Sequence, residues 1–448
     1  MSKQHLVAVI GAGPAGIYGT RKLVEAGHRV LLINRDIKPG GLAEYGIFFD
    51  KQKMKEGLRK QFKRILADPR VFYLGHVTVG EDQALTLQDL RDTGFSAIVV
   101  AAGAQGTKKL GLPGEDLAGV YHAKDVVYHY NKLPPFSQRR YELGSRVAII
   151  GMGNVMVDVA NWLLNYQRVA EVTVVARRGP KEKAYDDSEF EVIEKYLDNA
   201  DLRGEIERIR PDLEKVGQNV DEIIRAFVKD STPPPGQKLR FRYLCSPVRV
   251  LPTPEGRVAG LEVEHNILAV ENGRTVAKGT GRCSRLDLDS VIYAIGDQVD
   301  ASLGLPFARG AFITSPAQSS SDPNAAPYQP YDPQTKQVLE GIFVIGWSRN
   351  ASVGLVGVAK QDAERGMKVV NQYLAGKEGY PPELVEQKIE AVLDKLEENK
   401  VPFVTKEDIE ILEAAERAEA RKRNTWEYKF ATDEEMLAII SAPKAVAN

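Results

Sequence analysis

One local pattern occurs twice in the 448-residue chain and limits what it can fold into: a short apolar strand ends in a glycine-rich turn and continues as a helix. The first copy spans 6–33 with its turn at 11–16, and the second spans 146–176 with its turn at 151–156. In both copies a further apolar strand follows the helix. A strand, a helix and a second strand in this order form a parallel βαβ unit. The pattern therefore predicts an α/β chain with two doubly wound domains.

Later strands and loops set the predicted domain boundaries. Apolar runs at 98–103 and 290–296 end in small residues and supply a further strand to each sheet, and the strand 342–347 precedes a last helix of the first domain. The charged segment from 381 onward is predicted to be helical. The predicted parts are 1–104 for the first domain, 105–332 for the second, 333–380 for the return of the first, and 381–448 for a C-terminal helical extension.

The first glycine turn has the complete form GxGxxG, with Gly11, Gly13 and Gly16. Glycine has no Cβ, so the backbone can approach a pyrophosphate, and the N-terminus of the following helix offers free N–H groups to the anion. The strand before this turn and the helix after it indicate a dinucleotide site. The second turn keeps Gly151 and Gly153 but has Met156 at the third position, where a small residue normally allows close packing of helix and strand.

The residues after the second strand of each unit indicate which dinucleotide is bound. An acid at this point accepts hydrogen bonds from ribose hydroxyls. In the first unit Asn34, Arg35 and Asp36 stand there, so Asn34 or Asp36 is the candidate for this contact, and a solvated turn is the alternative. In the second unit Arg177 and Arg178 stand there. An arginine pair donates to a 2′-phosphate, which favours NADP(H) over NAD(H).

The composition excludes several kinds of site. Cys245 and Cys283 are the only cysteines. An iron–sulfur cluster or a cysteine-rich zinc site, which needs about four ligands, is therefore excluded, and no CxxC pair is present. The 60 basic and 61 acidic side chains leave a net charge of −1, so there is no global basic field for nucleic acid. No metal site is predicted, because His122 and His129 have no third ligand near them in the sequence.

The sequence also predicts where the protein is found. No apolar run approaches the roughly 20 residues of a membrane span. The first residues do not have the pattern of a secretion signal. With so few cysteines, the predicted location is the reducing cytoplasm.

Beyond the two turns, a series of short motifs resembles the adrenodoxin reductase family of ferredoxin–NADP reductases, flavoproteins with two dinucleotide domains. The motifs are Val9–Gly16, Gly40-Gly41-Leu42 with Tyr45-Gly46-Ile47, Gly153-Asn154-Val155 with Asp158-Val159-Ala160, Arg177-Arg178-Gly179-Pro180, Ser246-Pro247 with Val250-Leu251-Pro252, and Gly346-Trp347 with Gly354. Their order covers nearly the whole chain. The stretch 40–47 is also similar to the small subunit of glutamate synthase.

The resemblance implies a glutathione-reductase-like fold of two Rossmann-like domains, with FAD on the first and NADP(H) on the second. The implied FAD contacts are Gly11, Gly13, Pro14, Ala15, Gly16, Asn34, Arg35, Gly41, Leu42, Gly46, Ala102, Gly103, Gly346, Trp347, Gly354 and Leu355. The implied NADP contacts are Gly151, Gly153, Asn154, Val155, Arg177, Arg178 and Glu189. No catalytic residue is assigned, because hydride transfer between two cofactor rings needs orientation and little acid–base chemistry.

Three departures from the family pattern stand out. Lys51 occupies a position where the family usually has a histidine near the flavin. Met156 replaces a small residue, and the segment 350–353 replaces a Gly-Pro-Thr type of turn. The nicotinamide pocket is therefore expected to differ in shape from that of the family.

The resemblance implies that single electrons pass to a ferredoxin-type protein. Ferredoxins are usually acidic, so a basic docking face is predicted in the second domain; the candidates are Arg225, Lys229, Arg240 and Arg242. Two alternatives stay open at this point. The chain could be an NAD(P)H diaphorase subunit of a larger redox complex, with the charged segment from 381 to 440 as a partner surface. It could also be a flavin-binding protein whose nicotinamide site has decayed.

Overall fold

The computed structural model describes residues 4–316, 325–351 and 356–442. The chain divides into two compact units. Unit 1 comprises 1–108, 128–138 and 296–448, and unit 2 comprises 109–127 and 139–295.

The strands are β1 (Leu6–Ile10), β2 (Arg29–Ile33), β3 (Val71–Leu74), β4 (Ala97–Val100), β5 (Gly106–Thr107), β6 (Val120–His122), β7 (Arg146–Ile150), β8 (Glu171–Ala176), β9 (Lys238–Tyr243), β10 (Cys245–Pro252), β11 (Val258–Glu271), β12 (Arg274–Asp287), β13 (Ser290–Tyr293), β14 (Asp297–Gln298), β15 (Phe307–Ala308), β16 (Ala311–Phe312), β17 (Tyr331–Asp332), β18 (Gln337–Val338) and β19 (Ile342–Val344). The α-helices are α1 (Pro14–Glu25), α2 (Leu42–Tyr45), α3 (Gln52–Leu66), α4 (Leu87–Thr93), α5 (Ala123–Tyr130), α6 (Asn154–Asn161), α7 (Asp187–Glu194), α8 (Asn199–Arg208), α9 (Arg210–Lys215), α10 (Val220–Phe227), α11 (Val356–Ala375), α12 (Pro382–Glu398), α13 (Lys406–Lys422) and α14 (Asp433–Ser441).

The main sheet of unit 1 is parallel, with the strand order β19-β4-β1-β2-β3. The central strand β1 pairs on both edges, so that Val9 lies opposite Leu32 on one side and Val99 on the other. Because helices cover both faces, all five residues of β1 are buried, which explains its continuous apolar sequence. The chain changes direction across the sheet between β1 and β4. In parallel sheets, ligands bind outside the carboxyl ends of the strands at such a point.

Unit 2 repeats this arrangement with the parallel order β6-β13-β7-β8-β9. Here β7 is the central strand, and Ile149 lies opposite Ile292 and Val174. A three-stranded antiparallel sheet, β10-β11-β12, completes the unit. The predicted α/β class with two dinucleotide-type domains is confirmed.

The unit boundaries differ from the predicted ones. Residues 296–316 lie in unit 1 and not in the second domain, because β14 pairs with β5 and the apolar side chains of Val299, Leu303 and Phe312 join the core of unit 1. The segment 128–138 also belongs to unit 1. These placements depend on contacts between residues far apart in the sequence.

The segment 381–442, predicted as an extension, packs into the core of unit 1. Helix α12 buries Val385, Ile389 and Val392 in the apolar cluster that includes β1 residues of one sheet face. Helix α13 buries Leu412, and α14 buries Met436, in the cluster on the other face. The C-terminal helices therefore cover both faces of the same sheet.

A buried ionic cluster anchors the C-terminal segment to the rest of unit 1. It consists of four cations and three carboxylates: Lys38, Lys55, Arg59 and Lys429 with Glu44, Glu416 and Glu427. Lys38 Nζ lies 2.5 Å from Glu416 Oε2, and Lys429 Nζ lies 2.8 Å from Glu44 Oε1. Buried charges need such partners, because the loss of hydration costs several kcal/mol for each ion.

Lys55 is the cation that the carboxylates balance least. Its ammonium donates to Asn131 Oδ1 at 3.0 Å and lies 3.8 Å from Glu427 Oε2, and the side chain has no solvent exposure. Burial, and after it the nearby charge of Lys429, lower the pKa of Lys55 from 10.5 to about 7, although the charge of Glu427 acts to raise that pKa. A neutral Lys55 would leave three cations facing three carboxylates.

The substitution Lys55→Met should therefore affect stability in a pH-dependent way. Between about pH 7 and pH 10.5 the unfolded chain binds a proton that folded Lys55 has released, so the free energy of unfolding of the wild type rises with pH in this window. The stability of Lys55→Met relative to wild type should be higher at pH 6 than at pH 9, by on the order of 2 kcal/mol in urea denaturation.

The matched control is Lys60→Met, at an exposed position on the same helix. Its stability relative to wild type should change by less than about 0.5 kcal/mol between the two pH values. If the difference between Lys55→Met and wild type is the same at both pH values, Lys55 does not titrate in this window.

Candidate dinucleotide-binding sites

The glycine turn of unit 1 contains two glycines that the fold itself requires. Gly11 has φ +104°, and a Cβ built on it would lie 2.5 Å from the Ala101 carbonyl oxygen. A Cβ on Gly16 would lie 1.8 Å from the carbonyl oxygen of Gly11. Any larger residue at these two positions would force β1, β4 and α1 apart.

Gly13 is different, because no protein atom lies within 4 Å of a Cβ built on it. Its φ of −79° is open to any residue. Packing within the described residues therefore does not explain this glycine. It leaves empty space beside the N-terminus of α1, where no side chain of the described chain caps the helix. Uncapped N–H groups and the helix dipole attract an anion such as a pyrophosphate.

The loop after β2 forms a second wall of this space. The N–H of Gly40 donates to the Ala12 carbonyl oxygen at 2.7 Å. Gly41 has φ +50°, and a Cβ on it would lie 3.0 Å from Gly13 Cα. The Gly40–Gly41 loop therefore stacks directly on the first turn. Leu42 follows at the start of α2, and a Cβ on Gly46 would lie 2.7 Å from the Leu42 carbonyl oxygen.

The returning strand β19 supplies a third wall. Gly346 has φ +62°, and a Cβ on it would lie 2.5 Å from Ala15 Cβ. Its N–H donates to Asp362 Oδ2 at 2.6 Å. Gly103 donates its N–H to Ser348 Oγ at 3.0 Å, which joins the end of β4 to the same turn.

The structure thus brings most of the predicted FAD residues of unit 1 to one place. The half-buried Trp347 follows Gly346 directly, and Ala102 precedes Gly103. Pro14 and Ala15 form the first turn of α1. Gly354 and Leu355 lie outside the described residues.

Asn34 does not stand free for a ribose. Its Oδ1 accepts the N–H of Ala12 at 2.9 Å, and its Nδ2 donates to the carbonyl oxygens of Asp36 at 2.8 Å and Lys38 at 3.1 Å. The buried amide therefore joins the first turn to the loop after β2. This is a structural role that the sequence pattern did not indicate.

Arg35 and Asp36 line a cavity of about 310 Å³ at the carboxyl ends of β2 and β3. His76, Tyr45 and Asp433 of α14 also line it. Arg35 Nε donates to Asp36 Oδ1 at 3.0 Å. Burial raises the pKa of Asp433, opposed by the charge of His76. Of the two predicted ribose contacts, Asp36 lines the cavity and Asn34 does not.

The glycine turn of unit 2 follows the same geometry at its first two glycines. Gly151 has φ +118°, and a Cβ on it would lie 2.4 Å from the Ala294 carbonyl oxygen. No protein atom lies within 4 Å of a Cβ on Gly153, and no side chain of the described chain caps α6. Met156 is completely buried, so the core of unit 2 accommodates its side chain. Val155 is 45% exposed beside the turn.

The segment before α7 folds back over this second turn. The Ala184 N–H donates to the Met152 carbonyl oxygen at 2.9 Å. Asn154 Nδ2 donates to Asp186 Oδ2 at 2.9 Å, and the Asp186 N–H donates to Asn154 Oδ1 at 2.8 Å. The Asn154 side chain is therefore committed to the start of α7, whose first turn contains Glu189. What Asn154 can offer a pyrophosphate is its backbone N–H.

Arg177 and Arg178 follow β8, as the sequence predicts. Their backbone is fixed, since Asn266 Nδ2 donates to the Arg177 carbonyl oxygen at 3.0 Å. Within the described part of the chain, neither guanidinium has an ion-pair partner. Two unpaired arginines at the carboxyl end of this strand can receive a phosphate group.

Three of the four predicted docking residues are balanced by carboxylates of unit 2. Arg240 pairs with Asp198 at 3.1 Å, and Arg242 pairs with Asp201 at 2.7 Å. Lys229 lies 3.8 Å from Glu194. Arg225 is exposed and has no ion-pair partner in the described chain. These pairs leave Arg225 as the group that offers a free positive charge.

The sequence pattern did not indicate the residues that support the returning strand. Asp362 is buried on α11 and accepts both from Gly346 and from Arg349 Nε at 3.1 Å. A charged residue among Ala359, Ala363 and Gly366 on the apolar face of a helix is the signal that would have identified it.

Two further findings concern metal ions and membranes. Among the described residues, no three His, Cys, Asp or Glu side chains are grouped so that they could hold a metal ion. Every helix in the described part of the chain is too short or too polar to cross a membrane.

Comparison with known proteins identifies the family of this chain. The family described as "Pyridine nucleotide-disulphide oxidoreductase" matches residues 5–325. The chain is 28% identical to the NADPH-ferredoxin reductase FprA of Mycobacterium tuberculosis, with 98% of this chain and 99% of that protein covered. It is also 28% identical to the mitochondrial NADPH:adrenodoxin oxidoreductase of Arabidopsis thaliana, with 96% and 94% covered.

A solved structure agrees with the sequence matches. The structure of Mycobacterium tuberculosis FprA in complex with NADPH has a TM-score of 0.81 and 26% identity, and the match covers 98% of this chain and 100% of that one. The resemblance predicted from the short motifs is confirmed.

The two kinds of glycine in the first turn should respond differently to alanine. Gly13→Ala places a methyl group in empty space, so it should change the free energy of unfolding by no more than about 1 kcal/mol and weaken FAD binding at least about tenfold. Gly16→Ala should lower the free energy of unfolding by roughly 1–3 kcal/mol, because its Cβ collides with backbone. Urea denaturation of the FAD-free protein and FAD titration measure the two effects. Tight FAD binding by Gly13→Ala would show that no ligand fills this space.

Proposed function

The chain belongs to the pyridine nucleotide-disulphide oxidoreductase family, and we propose that it is an FAD-dependent ferredoxin–NADP reductase. It takes electrons from NADPH and passes them to a ferredoxin-type protein. The observation that carries this proposal is the pair of open glycine turns. Gly13 and Gly153 each leave a space at a helix N-terminus that the packing of their own unit does not require.

FAD is assigned to unit 1, where three loops meet at one turn. Gly13 leaves room for the pyrophosphate, the Gly40–Gly41 loop packs against Gly13, and Gly346 packs against Ala15 of the same turn. Asp36 is the proposed ribose contact, because it lines the cavity after β2 and Asn34 does not. When bound, FAD accepts a hydride and releases its electrons singly, which is chemistry that no side chain of this chain supplies.

NADPH is assigned to unit 2. Asn154 and Val155 are the first residues of α6, so their backbone N–H groups are the proposed contacts of the pyrophosphate. Arg177 and Arg178 are the proposed contacts of the 2′-phosphate. The second turn keeps open space at Gly153 although Met156 is buried, which argues against a decayed nicotinamide site.

The partner is proposed to be a ferredoxin-type protein. The relatives in the comparison are named for ferredoxin and adrenodoxin. The sequence has no CxxC pair that could receive the electrons within the chain. The cytoplasmic location remains part of the proposal. The two cysteines, Cys245 and Cys283, agree with it, because neither forms a disulfide.

The proposal can be tested by anaerobic titration of the purified yellow protein. NADPH should bleach the flavin absorption band, and NADH should do so only at higher concentration. Replacing Arg177 and Arg178 by alanine should raise the KM for NADPH on the order of 10–100-fold and leave that for NADH nearly unchanged, because a charge-assisted contact contributes about 1.5–3 kcal/mol.

The control is Arg274→Ala, at an exposed arginine of the β11–β12 hairpin in the same unit. It should alter neither KM. A colourless protein that takes up no FAD would rule out the function. If the arginine variants raise the KM for NADPH and for NADH equally, the 2′-phosphate is bound by other residues.

Charge reversal should locate the docking face. Arg225→Glu should slow ferredoxin-dependent cytochrome reduction several-fold at low salt, and the difference should shrink as ionic strength rises, because exposed charges are screened. Arg274→Glu serves as the control. If Arg225→Glu and Arg274→Glu behave alike, the acceptor binds at another surface.

A further inference from the structure

Helix α2 is four residues long and begins immediately after the Gly40–Gly41 loop. A helix of this length has no stability of its own, because the free energy needed to form its first turn exceeds what one or two hydrogen bonds contribute. Tertiary contacts must therefore fix its position. The loop before it stacks on Gly13, so whatever holds α2 also holds one wall of the FAD site.

Glu44 is the residue through which α2 is held. It is almost completely buried, and both of its carboxylate oxygens accept from Arg59 of α3, at 2.7 Å from Nε and 2.5 Å from Nη2. Lys38, from the loop before α2, lies 3.8 Å away. Burial acts to raise the pKa of Glu44, but Lys429, Lys38 and Arg59 outweigh it and keep that pKa well below its usual value. The carboxylate is therefore charged throughout the neutral range.

Lys429 binds this helix a second time, from the C-terminal segment. Its ammonium lies 2.8 Å from Glu44 Oε1 and donates to the Glu44 carbonyl oxygen at 3.1 Å. It also donates to the Asn131 carbonyl oxygen at 3.2 Å and lies 4.6 Å from the centre of the Tyr45 ring. One buried lysine thus binds the side chain and the backbone of the same residue.

We propose that Glu44 and Lys429 are positioning residues for FAD. Lys429, which lies nearly 400 positions further along the chain, holds the Gly40–Gly41 loop against the first glycine turn through its contacts with Glu44. This inference rests on the proposed function. An ionic contact suits the task, because a buried polar network whose members are all satisfied makes the structure rigid and specifies one arrangement. The link to the loop is direct, because a Cβ built on Gly40 would lie 2.9 Å from Glu44 Cβ.

The test compares two ion pairs that both join the C-terminal segment to the rest of unit 1. Lys429→Met removes the contact with α2. Lys395→Met removes the contact between α12 and Asp89 of α4, which does not touch the loop. FAD affinity is measured by fluorescence titration of the FAD-free protein, and stability by urea denaturation of the same preparation. Glu44→Gln, which keeps the shape of the side chain, is the second variant.

We expect Lys429→Met and Glu44→Gln to bind FAD about tenfold more weakly than wild type. Lys395→Met should bind FAD within about twofold of wild type while losing stability. Lys429→Arg keeps the charge and should recover most of the affinity. The absorption band of bound flavin should shift in Glu44→Gln and not in Lys395→Met.

Unchanged FAD affinity in both Lys429→Met and Glu44→Gln would overturn this inference and leave the proposed function intact. Equal loss of affinity in Lys395→Met and Lys429→Met would also overturn it, because the effect would then follow general destabilisation. A wild-type protein that binds no FAD would overturn the proposed function and this inference together.

Discussion

The close approach of backbone atoms at the carboxyl end of β1 is the constraint on which unit 1 depends. A Cβ on Gly16 would lie 1.8 Å from the Gly11 carbonyl oxygen, and one on Gly11 would lie 2.5 Å from that of Ala101. Strand and helix meet here without side chains between them. The N-terminus of α1 therefore has open space beside it, at Gly13. Two more glycines, Gly41 and Gly346, then bring their loops against the same turn. The site is therefore a consequence of how tightly the turn is packed.

Unit 2 shows which part of this constraint can be relaxed. Gly151 is as confined as Gly11, since its Cβ would lie 2.4 Å from the Ala294 carbonyl oxygen. At the third position, however, Met156 is buried completely where unit 1 has no room for a methyl group. The two requirements of the motif are thus separable: the first two glycines shape the anion site, whereas the third controls how closely the helix packs on its strand.

The local features of this structure could be predicted from the sequence, whereas contacts between residues far apart in the chain could not. The glycine turns, the buried strands and the adjacent arginines Arg177 and Arg178 each have a recognisable local sequence pattern, so they could be predicted. The structural role of Asn34 could not be predicted, because its amide bonds to backbone groups of the turn and of the following loop. The helices after 381 were predicted as an extension because they are rich in charge. Several of those charges are buried, and they meet partners from the other end of the chain, such as Lys429 with Glu44 and Lys38 with Glu416.

This long-range pairing has a thermodynamic consequence. If the C-terminal segment favours the loop position that binds FAD, then FAD must favour the docked C-terminal segment by the same free energy, because coupling between two sites is reciprocal. The ionic cluster contains one more cation than carboxylates, so it is not an optimised stabilising element. Its geometry is better explained by a role in holding α2 in one position. The unfavourable free energy of this arrangement falls on Lys55, whose pKa is lowered to about 7. The affinity of unit 1 for its cofactor and the packing of its last helices therefore depend on the same equilibrium between docked and undocked C-terminal segment.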